Sequence, residues 1–290
     1  MGDTVGVVGL GNMGSAFATN LMHDGHAVVG YDIDEARLRA FTDGGGTPAA
    51  SVGAVGERAD VVITSLDSGA ALLDVAAEIA ATGALVMETS TLAIEVKTRA
   101  AELVEQAGGQ LLDCPVSGTG SQARNRDIVV YVSGDRAAYD RLTPVLSGFT
   151  RTHRYVGEFG AGSKLKFLAN LLVAVHNVAA AEALVLAKKA GVDQEMALEA
   201  LTQGAGNSRM LEVRGPVMVE ESWDEPSADL AIFRKDLSLI QAFAASLDCP
   251  VPVLASAAQV HFAALAQGRE RQDAAAVYAV LAQAAGIPTS

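Results

Sequence analysis

The residues with the clearest chemical spacing stand near the start of the chain. Gly9-Leu10-Gly11-Asn12-Met13-Gly14 follows the β-branched run Thr4–Val8 and leads into a helical pattern, Met13–Asp24. A strand that runs through G-x-G-x-x-G into a helix offers backbone N–H groups and the positive end of a helix to phosphate. Gly9 then permits the tight turn, Gly11 lets the backbone approach a pyrophosphate, and Gly14 lets the helix pack on the strand, while Leu10, Asn12 and Met13 complete the loop. The ligand this motif implies is a dinucleotide. The second candidate strand ends at Tyr31-Asp32, with Asp32 18 residues beyond Gly14. An acidic group there accepts hydrogen bonds from the ribose hydroxyls and repels a 2′-phosphate. With Arg37 the nearest arginine, the expected cofactor is NAD rather than NADP. The competing role for Asp32, capping the next helix, is one that Asp34 can fill.

A second chemical pair is Lys166 and Asn170, in Gly160-Ala161-Gly162-Ser163-Lys164-Leu165-Lys166-Phe167-Leu168-Ala169-Asn170. A spacing of four places both on one face of a helix. A lysine near a helix N-terminus sits against the positive end of the macrodipole, and burial works in the same direction, toward a neutral amine able to move a proton. Asn170 both donates and accepts beside it. Spacing by itself favours a solvated surface lysine over that reading.

These groups must be held by two kinds of structure. From residue 4 to about residue 156, short β-branched runs (Thr4–Val8, Ala27–Tyr31, Val61–Ser65, Leu85–Glu88, Gln110–Cys114, Ile128–Ser133, Thr152–Val156) alternate with helical patterns at Asp34–Phe41, Ala70–Ala80 and Ile94–Ala107. Such alternation predicts a mostly parallel sheet with crossover helices. Beyond Gly160 the strands stop; Ala161–Ala190, Gln194–Thr202, Asp229–Leu247 and Val251–Ala266 read as helices, and Arg271–Ala285 closes the chain. The expected fold is α/β: an N-terminal dinucleotide-binding (Rossmann) domain, 1–160, followed by an all-α C-terminal domain, 161–290.

Composition removes several function classes. With 21 basic and 34 acidic residues the net charge is −13, which argues against nucleic acid or an anionic membrane as partner. Cys114 and Cys249 are far apart and lack metal-ligand spacing, so neither a disulfide framework nor a metal site is expected. Cys114 reads as buried rather than nucleophilic. The start of the chain enters a strand pattern without a basic leader, so no signal peptide is expected and the compartment is read as cytoplasmic. The Ala-rich stretch Leu171–Ala187, interrupted by His176, Asn177 and Glu182, reads as a helix buried in protein, not a membrane span. Trp223 is assigned to packing, His261 to a surface or interface, and Ser208-Arg209 either to a helix start or to a pocket edge.

Taken together, the chain resembles the β-hydroxyacid dehydrogenases, the group of 3-hydroxyisobutyrate dehydrogenase and tartronate semialdehyde reductase. Four ordered segments carry the resemblance over nearly the whole chain: the Gly9–Gly14 loop continuing through Ala18-Thr19-Asn20-Leu21 and Gly25-His26; Asp113-Cys114-Pro115-Val116-Ser117-Gly118; Gly160-Ala161-Gly162 with Lys166 and Asn170; and Lys235-Asp236-Leu237. The resemblance reverses the balance at Lys166. It implies Lys166 as catalytic acid/base and Asn170 as the group orienting substrate. It also implies that Ser117, Gly118 and Thr119 cradle a substrate carboxylate, that Leu66 and Asp67 line the cofactor, that Thr91 sits near the nicotinamide and that Lys235 closes over the cofactor. The implied reaction is hydride transfer between NAD and a small hydroxy acid, with NADP the lesser cofactor, in a homodimer or homotetramer. Alternatives on the same fold are an imine or other carbonyl reductase, which usually lacks the lysine, and a non-catalytic NAD-binding regulator. Three departures from the family pattern bear on substrate identity: Thr119 in place of a second glycine, Ala169-Asn170 in place of Asn-Asn, and Arg124 and Arg126 among usually small residues. Arg126 is read as facing either an anionic substrate or solvent.

Overall fold

In the computed structural model, which describes residues 3–226 and 228–289, the elements follow in order. The first part comprises β1 (Thr4–Val8), α1 (Asn12–His23), β2 (Ala27–Tyr31), α2 (Glu35–Asp43), β3 (Thr47–Pro48), α3 (Val52–Gly56), β4 (Val61–Thr64), α4 (Gly69–Ala80), β5 (Leu85–Glu88), α5 (Ile94–Gln106), β6 (Gln110–Asp113), β7 (Val116–Ser117), α6 (Gly120–Arg124), β8 (Val129–Ser133), α7 (Arg136–Phe149) and β9 (Thr152–Gly157). All-helical structure follows: α8 (Ala161–Lys189), α9 (Gln194–Thr202), α10 (Arg209–Glu220), α11 (Leu230–Ser246), α12 (Pro252–Ala266), a 3-10 turn (Ala274–Ala276) and α13 (Val277–Ala284). The chain divides into two compact units, Met1–Lys166 and Phe167–Ser290, with the division inside α8.

The sheet order is β3-β2-β1-β4-β5-β6-β8-β7, with β9 beside β8. Pairing is parallel from β3 through β6, while β8 runs antiparallel to β6 and β7. Alternation along the strands builds two cores. Val5, Val7, Val61 and Ile63 enter one with Phe17 and Leu21 of α1 and Leu142 and Leu146 of α7. Val8, Val62 and Val86 enter the other with Leu72 and Ile79 of α4 and Ala100 and Val104 of α5. A parallel sheet covered on both faces requires such runs of apolar, β-branched residues. The strand order turns about between β1 and β4, so the crevice of the doubly wound sheet opens at the carboxyl ends of those strands.

Helix starts follow capping chemistry. Asp34, Ser51, Ser68, Asp135, Asp193, Ser208 and Asp229 each accept a backbone N–H of the helix they precede. Ser208 is therefore a helix start, one of the two roles the sequence left open. The short elements α3, α6 and β7, and the longer α7 and α10, were not anticipated from periodicity. By length and composition alone α8 qualifies as a bilayer-crossing helix, although polar residues interrupt it; 39% of its most apolar window is buried inside the fold.

In the second unit, Trp223 packs at 2% exposure, as expected. His261 does not lie at a surface: it is 0% exposed. Its ring stacks on Phe233 at 4.6 Å, and Nε2 lies 3.4 Å from the Ala174 carbonyl, which only accepts and so places the proton there. Nδ1 has no hydrogen-bond partner among the described residues. Arg214 and Asp273 form a buried pair nearby at 3.3 Å. The apolar spacing of α12 alone could not reveal the depth of this histidine, because its neighbours come from α8 and α11. Burial, together with the Arg214 charge and against the Ala174 hydrogen bond, lowers the His261 pKa to about 4. The unfolded chain then binds a proton that the native state refuses. Stability is complete above about pH 6.5, falls as pH drops toward about 4, and levels off below that. The expected loss is roughly 3 kcal/mol, and His261→Leu flattens this part of the profile. Denaturant midpoints measured across that range in both proteins check it; equal slopes would contradict the buried, neutral imidazole.

Candidate active site

Five loops, after β1, β2, β4, β5 and β6, leave the carboxyl edge of the parallel strands, and polar groups at the strand ends tie them together. After β1, Gly9 turns at φ +89 and donates its N–H to the Tyr31 carbonyl at 3.0 Å. A Cβ on Gly9 would lie 2.2 Å from the Ser65 carbonyl oxygen, and one on Gly14 would lie 1.9 Å from the Gly9 carbonyl oxygen. Only glycine permits this approach of loop, strand and helix. Gly11 is the N-cap of α1, and no side chain caps that helix. The cradle thus keeps its helix N-terminus for an anion, and these residues fit the pyrophosphate of a dinucleotide.

Asp32 is 7% exposed at the end of β2. Its Oδ2 accepts the Leu10 N–H at 2.7 Å and its Oδ1 the Asp34 N–H at 2.8 Å. It therefore pins the phosphate loop, while Asp34 caps α2. Arg37 reaches back from α2 to 3.6 Å from Asp32 Oδ2. The arginine that looked distant in the sequence thus approaches this carboxylate in the fold.

After β4, the Leu66 N–H donates to Ser90 Oγ at 2.8 Å, and the Leu66 side chain abuts Gly9. Asp67 next to it is exposed. After β5, Thr91 is half-buried beyond Ser90, whose N–H donates to the buried Glu88 carboxylate at 2.9 Å. After β6 comes the Ser117-Gly118-Thr119 loop, with Gly118 at φ +146. Thr119 is the N-cap of α6 in a capping box: its N–H donates to Gln122 Oε1 at 3.0 Å and its hydroxyl accepts the Gln122 N–H at 3.3 Å. The Thr119 amide is thus committed within its own helix cap. Asn20 of α1 holds α6 by donating to the Ala123 carbonyl at 2.7 Å. Arg126, at φ 57, clasps the Asn20 carbonyl at 3.0 Å and Asp24 at 3.3 Å. That clasp accounts for the arginine without a substrate.

Lys166 lies on α8 at 8% exposure. It is not the solvated lysine that spacing alone favoured. Asn170 follows one turn later on the same helix, and its Nδ2 donates to Asp236 Oδ2 at 2.6 Å. Lys235, beside Asp236 on α11, is half-buried. Cys114 is fully buried, and burial together with the Asp113 charge pushes its thiol well above the usual range, so it is no nucleophile.

Residues not anticipated from the sequence lie just beneath these loops. Lys97 of α5 and Asp113 of β6 are both 0% exposed and joined at 2.8 Å. Burial draws the Lys97 amine down, but the Asp113 and Glu88 carboxylates outweigh it and hold it above its ordinary value. The available signal was Lys97 in the stripe Lys97, Ala100, Ala101, Val104, where every other member is apolar.

The family model for the NAD binding domain of 6-phosphogluconate dehydrogenase matches residues 4–157, and that for the NAD-binding domain of NADP-dependent 3-hydroxyisobutyrate dehydrogenase matches residues 160–281. The chain is 33% identical to the L-threonate dehydrogenase of Cupriavidus necator, over 96% of this chain and 95% of that protein. The chain belongs to the β-hydroxyacid dehydrogenase family. Another relative of this family member is the 2-(hydroxymethyl)glutarate dehydrogenase of Eubacterium barkeri, 27% identical over 99% of this chain and 97% of that protein. Among solved structures, the Mycobacterium tuberculosis 3-hydroxyisobutyrate dehydrogenase with L-serine is similar at a TM-score of 0.90 and 29% identity, covering 97% of this chain and 99% of that one. In this β-hydroxyacid dehydrogenase the cradle leaves no room for a methyl group at Gly14. Gly14→Ala is expected to destabilise the fold by about 1–3 kcal/mol and to weaken NADH binding. Denaturation and NADH titration check this; unchanged values in both would show that the loop relaxes freely.

Proposed function

We propose that this chain is an oxidoreductase that transfers a hydride between NAD and a small hydroxy acid, with Lys166 as acid/base. The observation that carries the proposal is a buried amine on α8 in a chain whose Gly9–Gly14 loop is built to hold a dinucleotide. In this reading the substrate carboxylate docks at Ser117 and Gly118, where a glycine-containing turn aims N–H groups at an anion. Lys166, as the neutral amine, accepts the proton of the substrate hydroxyl; in the reverse direction its ammonium returns that proton to the alkoxide oxygen. Asn170, its amide held by Asp236, orients the hydroxyl. The nicotinamide, when bound, supplies the hydride acceptor. Leu66, Asp67 and Thr91 line its side of the site and Lys235 closes over it.

Relatives named for hydroxy acids support this reaction over imine reduction, and Lys166 supports it over a non-catalytic regulator. NAD is preferred to NADP because the Asp32 carboxylate meets the ribose, although Arg37 moderates the preference. Residues 1–160 serve the cofactor, and residues 161–290 complete substrate binding and join subunits in a homodimer or homotetramer. The exposed apolar residues Leu165, Leu168, Leu172 and Leu186 on α8 support the last point. Two unpaired cysteines accord with a cytoplasmic setting.

Lys166→Ala is expected to bind NADH normally and to lose turnover by about 10²–10⁴-fold. The assay is NADH formation from L-threonate, 3-hydroxyisobutyrate, 2-(hydroxymethyl)glutarate and L-serine, with NADP run in parallel. Turnover within a factor of a few of the parent would remove Lys166 from the mechanism. Asp32→Asn keeps an acceptor for the Leu10 N–H but removes the charge. It is expected to tighten NADPH binding relative to NADH in direct titration, and an unchanged ratio would deny Asp32 its selecting role.

A further inference from the structure

The Asp113 carboxylate, at the last residue of β6, receives four donors. Oδ1 accepts from Lys97 Nζ at 2.8 Å and from Ser163 Oγ at 2.7 Å; Oδ2 accepts from the Ser163 N–H at 2.8 Å and from Ser133 Oγ at 3.1 Å. Ser133 Oγ in turn accepts the Gly162 N–H at 3.0 Å. Two first-turn amides of α8 are therefore met from strands β6 and β8 rather than by a cap from the preceding loop. The approach is close: a Cβ on Gly162 would lie 2.7 Å from the Tyr131 carbonyl oxygen and 3.0 Å from both the Asp113 carbonyl oxygen and Pro115 Cδ. Asp113 stands at one end of the Cys114-Pro115-Val116 link to Ser117, and Ser163 stands one helical turn before Lys166. One buried anion thus fixes the starting points of both segments that meet substrate in the reading above.

The cation is what lets a carboxylate do this. An uncompensated buried anion takes up a proton, and a protonated carboxyl turns one acceptor site into a donor. Lys97 supplies the compensating charge at 2.8 Å, and its own ammonium is fully buried with Glu88 as a second anion nearby.

We propose that Lys97 and Asp113 are positioning residues: the buried pair locks the first turn of α8, and with it the Lys166 amine, against the β6–β7 connection that carries Ser117 and Gly118. The catalytic part of this proposal rests on Lys166 being the acid/base; the locking of α8 does not.

Three variants of the full chain test it. Ser163→Ala removes one hydroxyl bond and leaves the ion pair. Lys97→Met removes the cation. The double variant Lys97→Met/Asp113→Asn removes both charges, so no lone charge is left buried. Should Lys97→Met fail to fold, Ser163→Ala and the double variant still decide the question. Amide hydrogen exchange at residues 162–166 is expected to quicken by about tenfold or more in Ser163→Ala and the double variant, while strands β1 and β4 keep their protection. With NADH affinity unchanged, kcat on L-threonate is expected to fall by between about tenfold and a hundredfold, with KM moving much less, as misplacement of a reacting group predicts. A folded double variant with parental exchange across 162–166 would overturn the proposal, whatever Lys166 does. Loosened exchange with parental kcat would overturn its catalytic part. Retained turnover in Lys166→Ala would overturn the acid/base reading alone, so the two failures are separable.

Discussion

Three carboxylates at the carboxyl ends of parallel strands hold this site together. Asp32 after β2, Glu88 at the end of β5 and Asp113 at the end of β6 are 7%, 0% and 0% exposed, and each accepts a backbone N–H from a neighbouring loop or helix start. Crossover helices in a doubly wound sheet begin at this edge, so their unpaired N–H groups and positive dipole ends collect there. Water cannot reach the buried ones. Anionic acceptors on the strand ends satisfy them, with stronger bonds than neutral acceptors would make.

This arrangement divides the edge into an occupied layer and an open one. Helix α8 has its first turn met by Asp113 and Ser133, whereas the phosphate-loop helix α1 has no side-chain cap. One helix start is used for structure and the other is kept for a ligand. The same economy appears at Asp32, whose two oxygens tie down Leu10 and Asp34. Lys97 shows what burying such an anion demands. A lysine in the apolar stripe of α5 is costly alone, and becomes tenable once paired with Asp113 and near Glu88.

Two of the departures from the family pattern, Thr119 and Arg126, acquire physical reasons in the same terms. Thr119 stands in place of glycine because it caps α6, at the cost of its amide to the Gln122 side chain. Arg126 adopts a left-handed backbone that favours glycine, and the bonds to the Asn20 carbonyl and Asp24 hold it there. Thr119 fixes the start of α6, and Arg126 ties the turn after α6 to α1.

Much of this was legible in the order of residues. The strand limits Thr4–Val8, Ala27–Tyr31 and Leu85–Glu88, the Gly9–Gly14 turn, the cap Asp34 and the switch to helices beyond Gly160 all rest on local signals: alternation, backbone permissiveness and short-range hydrogen bonding. Those forces act between near neighbours, so composition and spacing report them. Tertiary structure alone decided the depth of His261, the burial of Lys166, the return of Arg37 to Asp32 and the pairing of Lys97 with Asp113. Each depends on groups that are distant in the chain or on the rotation of a helix about its axis. For a titratable side chain, the free energy is set by the neighbours that replace its water, and a sequence does not say which neighbours those are.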